Sequence, residues 1–324
     1  MEIAALLKGY QLCAATEGKS LKSIEIVTHS VGYFREFLLA HGASTDVTAI
    51  GPQEIRAFIF YLQQKPLFSN HPSTRVQERL LSEHSVNCYV RSVRVFFSWL
   101  VSEEIIAAHP FERVKIPKVS KKIMPTFSAP QIQLLLDAMD TGNAQGQRNY
   151  TIILTLLDTG LRISELLGLQ LADLQLNDGV LKVLGKGNKE RLIPIGKQVQ
   201  RLLWHYINHC RAVPARPKGD FLFLTDDGRP LTRRWVEEIM RRKGREAGLP
   251  GIRCSPHTLR HTAAVTFLRN GGDVFALQRL LGHSNLEMTR RYCQLADTDV
   301  KKAHLTASPV DNLELRTRHK QPAK

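Results

Sequence analysis

The chain has 324 residues, 43% of them hydrophobic, and a formal net charge of +15. This length suits about two domains, and the apolar content excludes a wholly disordered protein. No apolar run approaches the roughly 20 residues of a membrane span, and the N-terminus lacks the pattern of a secretory signal. The five cysteines are scattered and form no Cys-x-x-Cys pair. They predict a reducing, cytoplasmic location without disulfides or a zinc cluster.

The positive charge lies mainly in the second part of the chain. Residues 1–117 carry 12 Lys/Arg and 11 Asp/Glu, whereas residues 118–324 carry 33 and 19. Such an excess indicates a polyanionic partner, because each cation placed against a phosphate releases condensed counterions. On charge alone, an ordinary basic surface is the alternative.

The N-terminal part of the chain predicts a compact helical domain. Apolar residues at spacings of three and four indicate a helix over residues 23–39. A second helix is predicted to begin after Gly51-Pro52 and to run through Leu62.

A third predicted helix carries a polar face of special interest. Ser85 is its expected cap, and an apolar stripe follows over residues 86–100. Arg91 and Arg94 lie on the opposite face. This face is either simply solvated or runs along a DNA groove.

The next segment has the composition of a linker. Residues 114–125 contain two prolines and four lysines and follow neither a helical nor a strand period. We therefore expect a basic linker over residues 116–125, in which Lys118, Lys121 and Lys122 follow DNA phosphates.

The remaining sequence predicts further helices and a small sheet. Helices are expected after the Ser-Ala-Pro of residues 128–130, over residues 150–157, and again from about Arg233. Between them, the period changes to that of strands separated by Gly/Asn turns. This predicts a three-stranded antiparallel meander over residues 174–176, 180–184 and 191–195. The last residues, 316–324, are polar and predicted to be frayed.

Four short segments in this second part contain reactive side chains. They are TGLRISELLGL at 159–169, GKGNKER at 185–191, HTLRHT at 257–262, and LGH at 281–283 with a tyrosine nine residues later. Together they resemble the tyrosine recombinase (phage integrase) family, whose members carry Arg, Lys, His-x-x-Arg, His or Trp, and Tyr in this order. The matching positions are Arg162, Lys186, His257, Arg260, His283 and Tyr292.

The resemblance extends over about residues 20–305 and is closest to two-domain, Xer-type members. It implies a mainly α fold, with an all-helical core-binding domain over residues 1–115. It also implies a mostly helical catalytic domain over residues 126–305 with a small three-stranded antiparallel sheet, then a polar tail. The two domains would form a clamp on duplex DNA.

The activity implied is site-specific recombination. The enzyme would cleave and religate duplex DNA through a covalent 3′-phosphotyrosine, without metal or other cofactor. Its partners would be double-stranded recombination sites, bound by a homotetramer, while the free protein could be a monomer. Residues 295–305 would dock on a neighbouring protomer or pack in cis.

The two matched arginines have a direct physical rationale. A phosphodiester repels nucleophiles, and the charge on its nonbridging oxygens must be held as phosphorus becomes five-coordinate. The guanidinium forks of Arg162 and Arg260 can bind those oxygens. An arginine at a helix start is more often a surface charge, but Arg162 stands within an apolar stretch. A buried charge needs a partner, so Glu165 is expected to orient Arg162.

His283 and Lys186 are expected to assist at the same phosphate. His283 would add a third hydrogen bond; taken alone, it would be an ordinary histidine in a turn between helices. By resemblance, Lys186 at a glycine-flanked hairpin tip protonates the departing 5′ oxygen. Lys189 is its rival for that role, and simple solvation of the hairpin is the alternative.

The HTLRHT segment suggests either a proton acceptor or a metal site. His257 titrates near neutrality and can take the proton of the tyrosine hydroxyl. His261, four residues on, would complete a His-x-x-x-His zinc pattern. Thr258 stands where the zinc-protease motif needs Glu, and no third ligand is evident, so we reject zinc.

Tyr292 is the expected nucleophile, because it follows Leu-Gly-His at the family interval. A phenol attacks only when a base and nearby positive charge help it ionise. Arg290 and Arg291 supply cations there or bind DNA. Cys293-Gln294 departs from the Thr/Ser-His that follows the tyrosine in many members.

Three other interpretations of the sequence remain open. A type IB topoisomerase or a telomere resolvase would share the phosphotyrosine chemistry. A catalytically inactive DNA-binding regulator would bind a site without cleaving it, and an architectural protein would bind without site preference. The sequence fits both resolution of chromosome dimers and integration or excision of a mobile element.

Overall fold

The structure, a computed structural model, describes residues 1–67, 77–119, 125–185, 189–216, 219–249, 251–283, 285–296, 308 and 310. The chain divides into two compact units, Met1–Lys122 and Ile123–Lys324. As predicted, it is mainly helical with a small three-stranded antiparallel sheet. Within the described ranges, no helix combines the length and apolarity that a bilayer crossing requires.

In its described residues, the first unit contains four helices and two short antiparallel strands. These are α1 (Ile3–Thr16), α2 (Leu21–Ala40), α3 (Pro52–Gln64), β1 (Pro66–Leu67), β2 (Gln77–Leu80) and α4 (Glu83–Ser102). Their apolar faces meet in one core that contains Phe34, Phe58 and Phe97. The rings of Phe34 and Phe58 pack edge to face, with centroids 4.9 Å apart. The periodicity of the sequence predicted α2 and α3, but not α1, which buries Ile3, Leu6 and Tyr10.

Helix α4 begins earlier than its sequence suggested. Ser82 is the cap, and its Oγ accepts the backbone N–H of Ser85. Ser85, the expected cap, is therefore inside the first turn, because two serines three residues apart both suit the capping position. Arg91 and Arg94 are exposed on the polar face of α4, as expected.

The segment after α4 is coil, and its first part packs on the helical unit. Val114 is buried in the unit's core. The backbone carbonyl of Pro117 accepts a hydrogen bond from Asn87 Nδ2 at 2.8 Å. Lys118 is exposed; Lys121 and Lys122 lie outside the described residues.

The second unit contains the remaining elements. These are α5 (Ala129–Asp137), α6 (Ala144–Thr159), α7 (Ile163–Gly168), β3 (Leu174–Gln175), β4 (Val180–Leu184), β5 (Glu190–Pro194), α8 (Lys197–His205), α9 (Arg233–Glu246), α10 (Pro256–Arg269), α11 (Val274–Leu281) and α12 (Leu286–Ala296). The strands pair in the antiparallel order β3-β4-β5. The third strand begins one residue before its predicted start. Helix α8 was not predicted; it continues into a π-helical turn over Tyr206–Cys210.

The sheet holds both ends of the GKGNKER segment, Gly185 and Arg191. Val183 pairs with Arg191 across β4 and β5, and the Gly185 backbone N–H donates to the Lys189 carbonyl at 2.8 Å. Lys186, the residue after Gly185, lies outside the described residues.

Candidate active site

Arg260 is held in place by the ends of two helices. It lies on the first turns of α10, which begins after the Ser255 cap. The buried guanidinium donates from Nη1 to the Gly160 carbonyl at 2.6 Å and from Nη2 to the Leu281 carbonyl at 2.8 Å. Gly160 caps the C-terminus of α6, and Leu281 is the last residue of α11. The carbonyl ends of helices carry partial negative charge, so this arrangement stabilises a buried cation.

The glycines of the TGLR and LGH segments make this approach possible. Gly160 has φ +61° and Gly282 has φ +62°, both in the left-handed region that favours glycine. A Cβ on Gly160 would lie 2.8 Å from Leu281 Cδ2, and one on Gly282 would lie 3.0 Å from Arg191 Cζ. Both motifs therefore contain glycine because the chain must turn tightly at these positions, next to Leu281 at Gly160 and next to Arg191 at Gly282.

Arg162 and Glu165 are joined as the sequence suggested. Arg162 is the residue before α7, and its Nη1 donates to Glu165 Oε1 at 2.8 Å. The other carboxylate oxygen of Glu165 accepts the Arg162 backbone N–H at 2.9 Å. The Arg162 side chain remains about a third exposed, at 32%, whereas that of Glu165 is 5% exposed. The carboxylate thus anchors a guanidinium that still reaches the surface.

Arg191 is a further partner of Glu165 that sequence reasoning missed. Its Nη1 and Nη2 lie 3.1 and 3.0 Å from the two carboxylate oxygens, a bidentate geometry. Arg260 Nη1 is 4.0 Å from the same carboxylate. Three guanidinium groups therefore surround one carboxylate. The only available signal was the position of Arg191 at the end of the GKGNKER segment.

The electrostatics of this cluster favour an anion. Burial opposes ionisation of Glu165, but hydrogen bonds from Arg191 and Arg162 hold the pKa of its carboxyl below the ordinary value. Burial, followed by the charge of Arg162, lowers the pKa of Arg260 to about 10. Arg260 is therefore still protonated at neutral pH. With one carboxylate against three guanidinium groups, the cluster keeps an excess of positive charge.

His283 lies beside Arg260 and is neutral. Its Nε2 is 3.1 Å from Arg260 Nη2, and its Nδ1 is 2.9 Å from Thr289 Oγ1. Burial, and then the positive charge of Arg260, lowers the pKa of His283 to about 4. Since arginine can only donate, Nε2 accepts in this arrangement. Thr289 is a second residue that the sequence did not single out.

Tyr292 lies beside these side chains, and together with Arg162, Arg260 and His283 it lines one pocket. It is carried by α12, is 3% exposed, and its ring stacks on that of His283 at 11°, with centroids 6.2 Å apart. Its hydroxyl lies 2.8 Å from His261 Nδ1. Burial raises the pKa of the Tyr292 phenol, although the charges of Arg260 and Arg162 oppose this. Arg162, Arg260, His283 and Tyr292 are thus brought together from four separate segments of the chain.

His257 does not make the contact that the sequence analysis assigned to it. Its side chain is exposed, and among the described residues it has no hydrogen-bond partner. Partial desolvation of the ring, followed by the charge of Arg233, lowers its pKa. The imidazole at the phenol is that of His261, one helical turn further along α10. The spacing of four residues between His257 and His261 contained this signal, although the same spacing also suits a zinc pattern.

The other predicted basic residues lie at the surface where the structure describes them. Lys189, Arg290 and Arg291 are exposed in the second unit. The charge of Arg291, after those of Arg260 and Arg162, also opposes the rise that burial causes in the pKa of the Tyr292 phenol. No group of three or more His, Cys, Asp or Glu side chains placed to hold a metal occurs in the described part of the chain.

Comparison with known proteins decides the family. The phage integrase family model matches residues 125–299, which include every element of this pocket. The chain belongs to the phage integrase family. It is a tyrosine recombinase, an enzyme that cleaves and rejoins DNA at specific sites.

Individual relatives extend the match of this tyrosine recombinase to the first unit. The tyrosine recombinase XerD of Listeria monocytogenes serotype 4b (strain F2365) is 30% identical over 294 residues, 90% of this chain and 94% of the relative. The XerD of Pseudomonas putida is 36% identical over 223 residues, 68% of this chain and 74% of the relative.

Solved structures share the fold of this recombinase. The Tn1549 transposon integrase, in complex with circular intermediate DNA, superposes with a TM-score of 0.72 at 23% identity, covering 94% of this chain and 99% of the integrase. XerH bound to a palindromic difH substrate, in a post-cleavage complex, has a TM-score of 0.68 at 19% identity, covering 93% and 84%.

Proposed function

We propose that this recombinase cleaves DNA by attack of the Tyr292 hydroxyl on a backbone phosphate held by Arg162 and Arg260. The attack leaves a 3′-phosphotyrosine and a free 5′ hydroxyl, and a new 5′ hydroxyl then displaces the tyrosine. The observation that carries the proposal is a continuous set of contacts. Glu165 joins Arg162 to the site of Arg260, Arg260 contacts His283, and His283 stacks on Tyr292.

The charge of the pocket suits this transition state. A phosphodiester attacked by a phenol that has lost its proton carries about two negative charges on its oxygens. Arg162, Arg191 and Arg260 against Glu165 leave a formal charge of +2, because His283 is neutral. The cluster therefore neutralises the transition state better than the singly charged ground state, which is the requirement for catalysis.

Arg260 has donors left for the phosphate. An arginine has five N–H groups. Three of those of Arg260 are directed to Gly160, Leu281 and His283, and the guanidinium also lies within hydrogen-bonding reach of the Tyr292 hydroxyl. Arg162, whose side chain is 32% exposed, would supply the second guanidinium group that binds the phosphate oxygens. The supporting carbonyls and carboxylate hold both groups before substrate arrives, so little reorganisation is needed.

Lys186 is proposed as the general acid for the 5′ oxygen, and His257 as a second phosphate contact or proton carrier. The base of the Lys186 hairpin lies at the pocket, since a Cβ on Gly185 would be 3.0 Å from Arg191 Nη1 and 4.0 Å from Glu165 Oε1. A lysine one residue further along the chain has the length to reach a phosphate held there. Lys189, the rival, is exposed at the other side of the hairpin.

The partners proposed are two double-stranded recombination sites held by a homotetramer. Of the biological roles, resolution of DNA multimers is favoured, because the XerD relatives align over most of this chain. Integration or excision of a mobile element is the second candidate. Both roles place the enzyme in the cytoplasm, where its free cysteines are stable. The sequence protected in a footprint of the genomic DNA distinguishes them.

A suicide substrate tests the proposed chemistry. A duplex nicked a few nucleotides 3′ of the scissile phosphate releases on cleavage the short fragment that carries the new 5′ hydroxyl, so religation is prevented and the adduct accumulates. We expect wild type to form an SDS-resistant protein–DNA adduct. Tyr292→Phe should bind the duplex with unchanged affinity and form none. Binding without any wild-type adduct would indicate a DNA-binding regulator, and relaxation without exchange between paired sites would indicate a topoisomerase.

A further inference from the structure

His261 is a hydrogen-bond partner of the Tyr292 hydroxyl. Its Nδ1 lies 2.8 Å from Tyr292 Oη, and the two rings are tilted at 43° with centroids 5.7 Å apart. The contact joins two packed helices, α10 and α12, and the phenol is 3% exposed. A side chain in contact with the hydroxyl is therefore better placed than bulk water to take its proton.

We propose that His261 Nδ1 accepts the proton of the Tyr292 hydroxyl as this oxygen attacks the phosphate, an assignment that rests on the proposed function of Tyr292. In this step the O–H bond breaks and the Oη–P bond forms. The P–O5′ bond breaks, and the 5′ oxygen takes a proton from the general acid. In religation the 5′ hydroxyl attacks phosphorus and gives its proton to the deprotonated general acid. The P–Oη bond breaks, and the imidazolium returns its proton to the departing phenol oxygen.

The neighbouring groups cannot serve as this acceptor. Arg260 has only donors. Both nitrogens of His283 are engaged, Nε2 with Arg260 and Nδ1 with Thr289. His257 is one turn away on α10 and has no hydrogen-bond partner in the described ranges. Among these groups, His261 alone presents a ring nitrogen to the phenol.

The proton-transfer step depends on bound phosphate. In the free protein, burial, followed by the charges of His257 and Arg260, lowers the pKa of His261 to about 4. Burial meanwhile raises the pKa of the Tyr292 phenol. The proton therefore stays on the phenol. A phosphate bound to Arg260 offsets one of those positive charges, which raises the proton affinity of His261. The other charged or titratable groups facing this pair are Arg162, His283 and Arg291.

The test compares His261→Asn with His257→Asn, the same substitution one turn apart. Asparagine can accept a hydrogen bond from the phenol but cannot take its proton. Single-turnover cleavage of the nicked substrate should fall by roughly 10²- to 10⁴-fold in His261→Asn, the usual contribution of a general base. A rate within about twofold of wild type would overturn the assignment, while the loss of adduct in Tyr292→Phe would still stand.

A second measurement separates proton transfer from simple positioning. A fluorinated tyrosine at position 292 has a more acidic phenol and depends less on a base. It should restore much of the rate of His261→Asn, but not that of Lys186→Ala, whose defect lies at the leaving oxygen. A 5′-phosphorothiolate substrate, whose thiolate leaves without protonation, should restore much of the rate of Lys186→Ala but not that of His261→Asn. If fluorination rescues His257→Asn instead, or neither histidine variant, His261 is not the base.

Discussion

Arg260 Nη2 lies 3.1 Å from His283 Nε2, and this contact determines which way the imidazole is protonated. A guanidinium cannot accept, so Nε2 carries no hydrogen and Nδ1 carries the proton towards Thr289 Oγ1, 2.9 Å away. To donate to a phosphate, Nε2 must gain a hydrogen. The Thr289 hydroxyl can rotate and donate to Nδ1 instead, so it supports both forms of the ring.

Thr289→Val tests this role of the hydroxyl. Valine keeps the shape of the fully buried side chain but can neither accept from Nδ1 nor donate to it. We expect the cleavage rate to fall by up to about tenfold, the value of one hydrogen bond, with DNA affinity unchanged. Thr266→Val, at an exposed position of α10, is the matched control. Equal rates for wild type and Thr289→Val would remove the proposed role.

The two arginines should differ in what their loss does to the fold. Arg162→Ala and Arg260→Ala should each slow cleavage by roughly 10²-fold or more, because each removes a preorganised donor. Arg260→Ala also leaves the Gly160 and Leu281 carbonyls without their donors. We therefore expect this variant to lose about 1–3 kcal/mol of unfolding free energy, and Arg162→Ala to lose less, because Arg191 still pairs with Glu165. Chemical denaturation and single-turnover cleavage together measure both effects; near-normal cleavage in either variant would refute its assigned function.

Much of the fold followed from periodicity, and the exceptions have physical causes. Helices α2, α3 and α6 and the three-stranded sheet have clear apolar stripes or turn residues. Helix α1 lacks a capping side chain and leaves Leu12 70% exposed, so its apolar face is indistinct in the sequence. Helix α8 buries Val199 and Leu203 on a regular spacing, and its charged neighbours hid this pattern.

The sequence predicted those residues of the site that belong to regularly spaced motifs, and not those whose contacts depend on packing. Chain order identifies Arg162, Arg260, His283 and Tyr292, and one helical turn suggests the Glu165 contact. The contacts of Arg191 and Thr289 depend on how the hairpin and α12 pack, and no local pattern encodes that packing. The contact of His261, rather than His257, with the Tyr292 hydroxyl depends on packing in the same way. Both lie on one face of α10, and only the position of α12 determines which of them meets the phenol.

The neutral histidines make stability depend on pH. The folded pKa of His283 is lowered to about 4, below its ordinary value near 6.5, so the unfolded chain binds the proton first. Stability is therefore full above about pH 6.5 and falls as the pH decreases towards 4, by up to about 1.4 kcal/mol per pH unit for this group. His283→Gln should show a shallower decline in urea unfolding between pH 7 and 5. A parallel decline would contradict the assigned neutral state.

The exposed arginines of α4 should act through phosphates. Arg91→Ala and Arg94→Ala should weaken binding to specific and unrelated duplexes alike. Each should reduce the slope of log affinity against log salt by about 0.9. Lys22→Ala on α2, an exposed lysine paired with Glu25, is the control and should leave the slope unchanged. If the arginine variants bind with the wild-type slope, this face of α4 does not contact DNA.

The central claim is that one phenol oxygen becomes bonded to DNA, and the most direct measurement is the identity of that bond. The adduct from a nicked substrate can be digested with protease and nuclease and the linked peptide sequenced by mass spectrometry. The account predicts a nucleotide joined through its 3′ phosphate to Tyr292. A link to any other residue, or through a 5′ phosphate, would contradict it.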